Sequence, residues 1–134
     1  MNFNEYQLEA SKTAVYPNIG SNLWYPGLGI AEEAGEVSGK IKKIYRDQDG
    51  IVYREDKKAI VKELGDVLWY INAICGELGI ELEEVAIANI EKLQKRRDTN
   101  TIHGSGDDRE LYTGIVNCAC HGGEIPAVFC TCPK

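Results

Sequence analysis

The chain has 134 residues, with 15 Lys and Arg against 21 Asp and Glu, a formal net charge of −6. This is one domain's length and is enough to bury a core, so folding requires neither a metal nor a disulfide. An acidic chain with no basic run argues against nucleic-acid or anionic-membrane partners, and 43% apolar with 27% charged residues is globular rather than disordered composition.

The opening residues, MNFNEYQLEA, have no positive segment leading into an apolar run, so no secretory signal is expected and a cytoplasmic protein is the default reading. A first helix is predicted over about residues 4–16, capped by Asn4 and stopped before Pro17. The turn-rich PNIGSNL at 17–23 follows, and Pro26 suits the first turn of a second helix reaching about Tyr45. After DQDG at 47–50 and a short connector, a third helix is predicted from about Glu55 to Leu78, with Gly79 as its C-terminal stop. The fourth runs from about Leu82 to Arg97, with Glu83 and Glu84 early and Lys95, Arg96 and Arg97 late, as the helix dipole favours. The longest apolar stretch, Val67 to Ile74, is interrupted by Asn72 and falls short of a membrane span.

Apolar residues recur with a helical period: Ile30, Ala34, Val37, Ile41 and Ile44, then Ile60, Leu64, Val67, Ile71, Ile74 and Leu78, then Leu82, Val85, Ala86, Ile90 and Leu93. Such stripes on helices joined by short loops predict an all-α, four-helix bundle over residues 1–110. Residues 111–134 form a compositionally distinct tail, while Cys75 lies alone in an apolar pattern and is read as a core residue.

The main chemical signal is a pair of acid clusters, Glu32-Glu33-Ala34-Gly35-Glu36 and Glu63-Leu64-Gly65-Asp66. The i,i+3 spacing puts Glu33 with Glu36, and Glu63 with Asp66, on common faces beside the apolar stripes, whereas Glu32 turns towards the far side. Converging carboxylates repel one another and raise each other's pKa, a conflict that a hard divalent cation such as Mg²⁺ removes. Two solvated acidic faces are the plain alternative. Lys40, Tyr70, Asn89, Lys92 and Arg96 supply cationic and hydrogen-bonding groups around the acids, Asn89 being read as a buried amide in the apolar stripe of the fourth helix.

Residues 32–36 and 63–66 match the EExxE…ExxD signature of the MazG-like, all-α NTP pyrophosphatase superfamily, and YPGLGIAEEAGEVSGKIKK (25–43), the stretch 62–97 and IHGSGDDR (102–109) resemble its short single-domain phage and bacterial members. The resemblance implies Mg²⁺-dependent hydrolysis of a (d)NTP to the monophosphate and pyrophosphate, with Mn²⁺ as a substitute metal. It implies metal ligands at Glu33, Glu36, Glu63 and Asp66, and catalytic roles for Glu32, Glu33 and Glu63, with Glu32 supporting the metal ligands from behind or acting as base. Tyr70 matches a position that packs near the sugar, and Asn89 and Lys92 match phosphate-contacting positions. A nucleotide-cleansing or phage nucleotide-supply role follows, as does association into a homodimer or homotetramer.

Gln7, on the apolar face of the first helix, is a candidate reader of a base edge, and Trp24 and Trp69 are stacking or packing candidates. His103 and Arg109 flank a GSGDD loop that could close over a ligand. Alternatives are a narrow dUTP or dCTP diphosphatase, or a non-catalytic helical interaction module. In the tail, Cys118, Cys120, Cys130 and Cys132 flank His121-Gly122-Gly123, which suggests a β-hairpin able to hold zinc, against a reduced tail or disulfides as alternatives. Glu63→Gln is expected to abolish activity, retain the fold and relieve repulsion in the metal-free protein.

Overall fold

The structure is a computed structural model that describes residues 1–102 and the backbone of two short strands at 115–118 and 123–126. Four helices follow one another, α1 (Phe3–Ser11), α2 (Trp24–Asp47), α3 (Arg54–Leu78) and α4 (Leu82–Asp98). Strands β1 (Ile115–Cys118) and β2 (Gly123–Pro126) pair antiparallel, with Cys118 opposite Gly123. The chain divides into two compact units, Met1–Ile87 and Ala88–Lys134. The predicted all-α body is present, and no helix among the described residues is long and apolar enough to cross a membrane.

Local chemistry sets the helix ends. α1 begins one turn's logic earlier than expected: Asn2, not Asn4, is the cap, its Oδ1 accepting from the Glu5 amide at 2.8 Å while the Glu5 carboxylate accepts from the Asn2 amide at 3.0 Å. It ends at Ser11, short of Pro17, because the chain tightens into i,i+3 bonds at Lys12, Thr13 and Ala14, and the Thr13 hydroxyl donates to the Ala10 carbonyl at 2.7 Å. α2 starts at Trp24, where the Asn22 side chain accepts from the Tyr25 amide at 3.2 Å and Pro26 fills the first turn. α3 ends as predicted at Gly79 (φ 66°): the Ile80 amide donates to the Cys75 carbonyl at 3.0 Å and the Gly79 amide to Gly76 at 3.3 Å, a Schellman motif that only a left-handed residue permits.

Within the first unit, α2 and α1 each pack against α3. The pairs Gly29–Tyr70 and Lys40–Glu63 run in opposite order along α2 and α3, so these two helices are antiparallel. The buried set is Tyr16, Pro26, Gly29, Ile44, Asn72, Ala73, Cys75 and Leu82. It overlaps the predicted stripes only in part: Ile41, Leu64, Leu78, Val85, Ile90 and Leu93 are exposed. Those stripes are wider than the contacts among the described helices.

Two side chains tie the irregular segments down. Gln7 uses both ends of its amide on the α3–α4 joint, donating to the Ile80 carbonyl at 3.1 Å and accepting from the Leu82 amide at 2.8 Å. Glu77 on α3 gathers the loop before α2, accepting from the Tyr16 hydroxyl at 2.7 Å, the Gly20 amide at 3.0 Å and the Asn22 amide at 2.8 Å. These bonds hold the Glu77 carboxyl below its ordinary range, and burial together with Glu77 pushes the Tyr16 phenol up to about 12.

A group whose folded pKa is depressed contributes stability that is complete above its unfolded value, near 4.5 for Glu, and is lost as pH falls through the folded one. Glu77→Gln is therefore expected to lower Tm at pH 7 by several degrees and to weaken the fall of Tm on acidification below pH 4.5. Thermal melts followed by circular dichroism across pH 3–7 check this, and an unchanged melt at pH 7 would show that the loop does not depend on the carboxylate.

Candidate metal centre

The antiparallel pairing of α2 and α3 carries Glu33 across to Glu63 and Asp66, which share a face of α3 by their three-residue spacing. One carboxylate oxygen from each of the three lies within 4.8 Å of the others. Glu33 and Glu63 are half-buried and Asp66 is exposed. Glu33 bears the cost: its pKa is raised, first by loss of hydration and then by the charges of Asp66, Glu63, Glu32 and Glu36. Glu63 has its own counter-ion, since the Lys40 ammonium sits 3.0 Å from its Oε1, with side-chain exposures of 29% and 18%. The same bond raises the Lys40 pKa.

The repulsion expected from the sequence is therefore uneven. Lys40 already balances Glu63, so Glu63→Gln removes an ion pair rather than relieving the metal-free protein, and relief belongs to Glu33. Glu36 stands outside the group of three and is exposed, contributing to the field at Glu33 and Lys40; Glu32 is likewise exposed. The donor set is all oxygen and anionic, half-buried, and short of positive charge at Glu33. It fits a hard divalent cation.

Aromatic residues adjoin the acids. The Tyr70 phenol is raised by burial, then by Tyr25 and by the charges of Glu33 and Glu32. Tyr6 is raised by burial and by Asp66. Tyr70 lies against the α2 backbone at Gly29, where a Cβ would fall inside its ring. Trp69 packs edge-on to Tyr70 (centroids 5.0 Å, 89°) and to Tyr16 (6.3 Å, 84°), and Tyr16 stacks on Tyr25 at 5.0 Å.

A family model for the MazG nucleotide pyrophosphohydrolase domain matches residues 27–101, the segment that contains all of these carboxylates. The chain belongs to that family. The Gene 37 protein of Mycobacterium phage L5 is 42% identical over 114 residues, covering 81% of this chain and the whole of that protein. No solved structure matches.

The remaining predicted residues of this MazG-family chain are placed as follows. Trp69 donates from Nε1 to the Thr13 hydroxyl at 2.7 Å and is held in the aromatic cluster, while Trp24 is 82% exposed. Gln7 is engaged by the backbone at Ile80 and Leu82, so its amide serves the fold rather than a base edge. Asn89, Lys92 and Arg96 lie on the part of α4 in the second unit. Asn89 is exposed, which corrects its reading as a buried amide, because the α4 stripe around it is not covered; Lys92 and Arg96 are half-buried. His103, Arg109, Cys120, Cys130 and Cys132 fall outside the described residues, and Cys118 is described only as the end of β1.

Sequence reading missed Gly29, Tyr6 and Glu77. Gly29 had a readable signal in the glycine pair of Pro26-Gly27-Leu28-Gly29, but which glycine meets an aromatic ring depends on the register of α2 against α3. Gly29→Ala is expected to destabilise the protein by about 1–3 kcal/mol through overpacking and to displace Tyr70. Denaturant unfolding measures the first effect, and a shifted Tyr70 ring signal in NMR spectra the second.

Proposed function

We propose that the protein is a Mg²⁺-dependent nucleoside triphosphate pyrophosphohydrolase that cleaves between the α- and β-phosphates and releases a (d)NMP and pyrophosphate. The observation that carries this reading is the convergence of Glu33, Glu63 and Asp66 inside the segment that matches a nucleotide pyrophosphohydrolase family. Those three carboxylates would hold the cation, with Glu36 on the neighbouring turn of α2 as a further ligand. When bound, the metal neutralises the polyphosphate and lowers the pKa of a coordinated water.

The chain's own groups supply the rest. Glu32 adjoins the cluster without joining it and is a proton acceptor for the attacking water. Lys40 already stands beside Glu63 as an ammonium and can donate to a phosphate oxygen, stabilising charge that develops during cleavage. Tyr70, held against Gly29 next to Glu33, offers a flat apolar face to a sugar. Lys92, Arg96 and Arg109 carry the positive charge that a contact to phosphate requires. Mn²⁺ is expected to replace Mg²⁺, since both take carboxylate and water ligands.

Incubation with a panel of NTPs and dNTPs, resolving pyrophosphate from phosphate, tests the reading directly. Pyrophosphate release that chelation abolishes is the expected result; metal-independent release, or none, would favour a non-catalytic helical module. Glu63→Gln and Asp66→Asn are each expected to lower kcat by about a hundredfold or more while remaining folded. Glu33→Gln is expected to do the same and also to raise Tm of the metal-free protein, because it removes the carboxylate that the others repel. A lower Tm for Glu33→Gln in chelator would contradict that assignment.

The enzyme is also proposed to work as a homo-oligomer in the cytoplasm. Leu28, Ile41, Tyr45, Val61 and Leu64 of the first unit are all at least half exposed, more apolar surface than a monomer usually leaves to water. A second copy covers such a repeated helical face most economically, by two-fold symmetry. Light scattering at micromolar concentration is expected to give a dimer or tetramer mass. A division at about residue 110 is proposed as well: truncation after Tyr112 should preserve pyrophosphate release, measured against the full chain, since every proposed ligand to the metal precedes it.

A further inference from the structure

Lys40 stands as a counter-ion at the edge of the acid cluster. Its Nζ lies 3.0 Å from Oε1 of Glu63, with side-chain exposures of 29% and 18%, so the pair is half-buried rather than splayed in solvent. Lys40 reaches Glu63 from α2, one helical turn beyond Glu36, whose charge it also feels. The bond to Glu63 favours the ammonium over the amine. Glu63 is at the same time one of the three carboxylates that bring an oxygen each within 4.8 Å of one another. One carboxylate is therefore claimed twice, by an ammonium of this chain and by any cation that the group of three would take. The charges that act on Glu33 are by contrast all carboxylates, Asp66, Glu63, Glu32 and Glu36, so the charge of Lys40 is committed to the Glu63 side of the cluster.

The two claims oppose each other. A divalent cation on the Glu63 carboxylate repels an ammonium held on the same group, and the loss is felt in a half-buried place where water screens it poorly. Lysine is the cation suited to give way, being a compact point charge on a flexible four-carbon stem, without the fork by which arginine grips a carboxylate. Its partial exposure leaves it a path out. A released ammonium needs another anion, and Glu36, exposed to water, is a weak substitute for Glu63. A polyphosphate, with several anionic oxygens, is a stronger one. We propose that Lys40 is an exchangeable counter-ion, which holds Glu63 and weakens the binding of a divalent cation until an anionic polyphosphate draws the ammonium away. Metal and polyphosphate then strengthen one another's binding, because a coupling between two ligands is reciprocal. Metal without nucleotide is held weakly. The polyphosphate arm rests on the function proposed above, whereas the competition at Glu63 is tested with the metal alone.

The test uses the full-length protein and reads binding apart from activity. Mn²⁺ is titrated without nucleotide, with free Mn²⁺ followed by electron paramagnetic resonance. Lys40→Met, which keeps the length of the stem and removes the charge, is expected to bind Mn²⁺ at least about tenfold more tightly than the unaltered protein. Lys40→Arg, which keeps the charge, should bind it as weakly as the unaltered protein. Equilibrium dialysis of the α,β-methylene analogues of dUTP and dATP at saturating Mg²⁺ should give the opposite sign, with Lys40→Met binding them at least about tenfold more weakly. A lysine that only supported the fold would lose both affinities together. Lys40→Gln carries the same expectations and keeps the test open should Lys40→Met fail to fold. The proposal is overturned if the neutral variants bind Mn²⁺ no more tightly, if Lys40→Arg gains as much as they do, or if the analogues bind the neutral variants as well as the unaltered protein. Metal-dependent hydrolysis with no gain in Mn²⁺ affinity would overturn this proposal and leave the function proposed above standing. Tighter Mn²⁺ in Lys40→Met, with neither hydrolysis nor analogue binding in the unaltered protein, would overturn that function and leave the competition at Glu63 standing.

Discussion

The antiparallel register of α2 against α3 is the constraint on which the site depends. It places Gly29 beneath Tyr70, Lys40 beside Glu63, and Glu33 across from Glu63 and Asp66. A shift of one residue would rotate each partner by about 100° and scatter the carboxylates over two faces. The register is locked by a contact that tolerates no side chain at all, the Tyr70 ring on the Gly29 backbone. The closest steric fit and the acid cluster thus lie one helical turn apart, so the packing that fixes the helices also fixes the chemistry.

The cluster is an electrostatic arrangement only half balanced by protein. Lys40 supplies one positive charge, and it is spent on Glu63. Glu33 loses hydration and receives negative charge from four neighbours, and its pKa is raised by both. An acidic surface with no function has an easy remedy, to turn its side chains into water, where such charges cost little. Here two of the three carboxylates are instead half-buried and aimed at one another. That is the condition under which a bound divalent cation would add to stability as well as chemistry, since binding to the folded state alone shifts the folding equilibrium.

Much of this was legible in the sequence, and the limits have physical causes. Four helices, the Gly79 stop and the buried Cys75 followed from local rules of capping, periodicity and size, which need no knowledge of tertiary contacts. The acid pairs were found because i,i+3 spacing defines a helix face, and their family resemblance agrees with the matched domain at residues 27–101. The true cap at Asn2 was missed because Asn2 and Asn4 are chemically equal and only the Glu5 carboxylate distinguishes them. Asn89 was misread because a stripe of apolar residues predicts burial only if something covers it, and α4 is largely exposed there. Gln7 and Glu77 act on segments distant in sequence, Gln7 on Ile80 and Leu82, Glu77 on Tyr16, Gly20 and Asn22. No periodicity encodes such pairings.

In a sequence under selection only for stability, local choices agree with the fold at every level, and departures from that agreement mark positions held for another reason. The first unit has two such departures. One is Glu33, a half-buried carboxylate surrounded by like charge; the other is Asn72, a fully buried amide whose oxygen finds no donor. Each could be relieved by a single conservative change, to Gln at Glu33 or to Leu at Asn72, without altering helix propensity or volume much. They differ in what would satisfy them, positive charge for the first and a hydrogen-bond donor for the second. Glu33 is the one of the two placed to meet a solute, since its half-buried carboxylate converges with Glu63 and Asp66, whereas the Asn72 oxygen is sealed within the core.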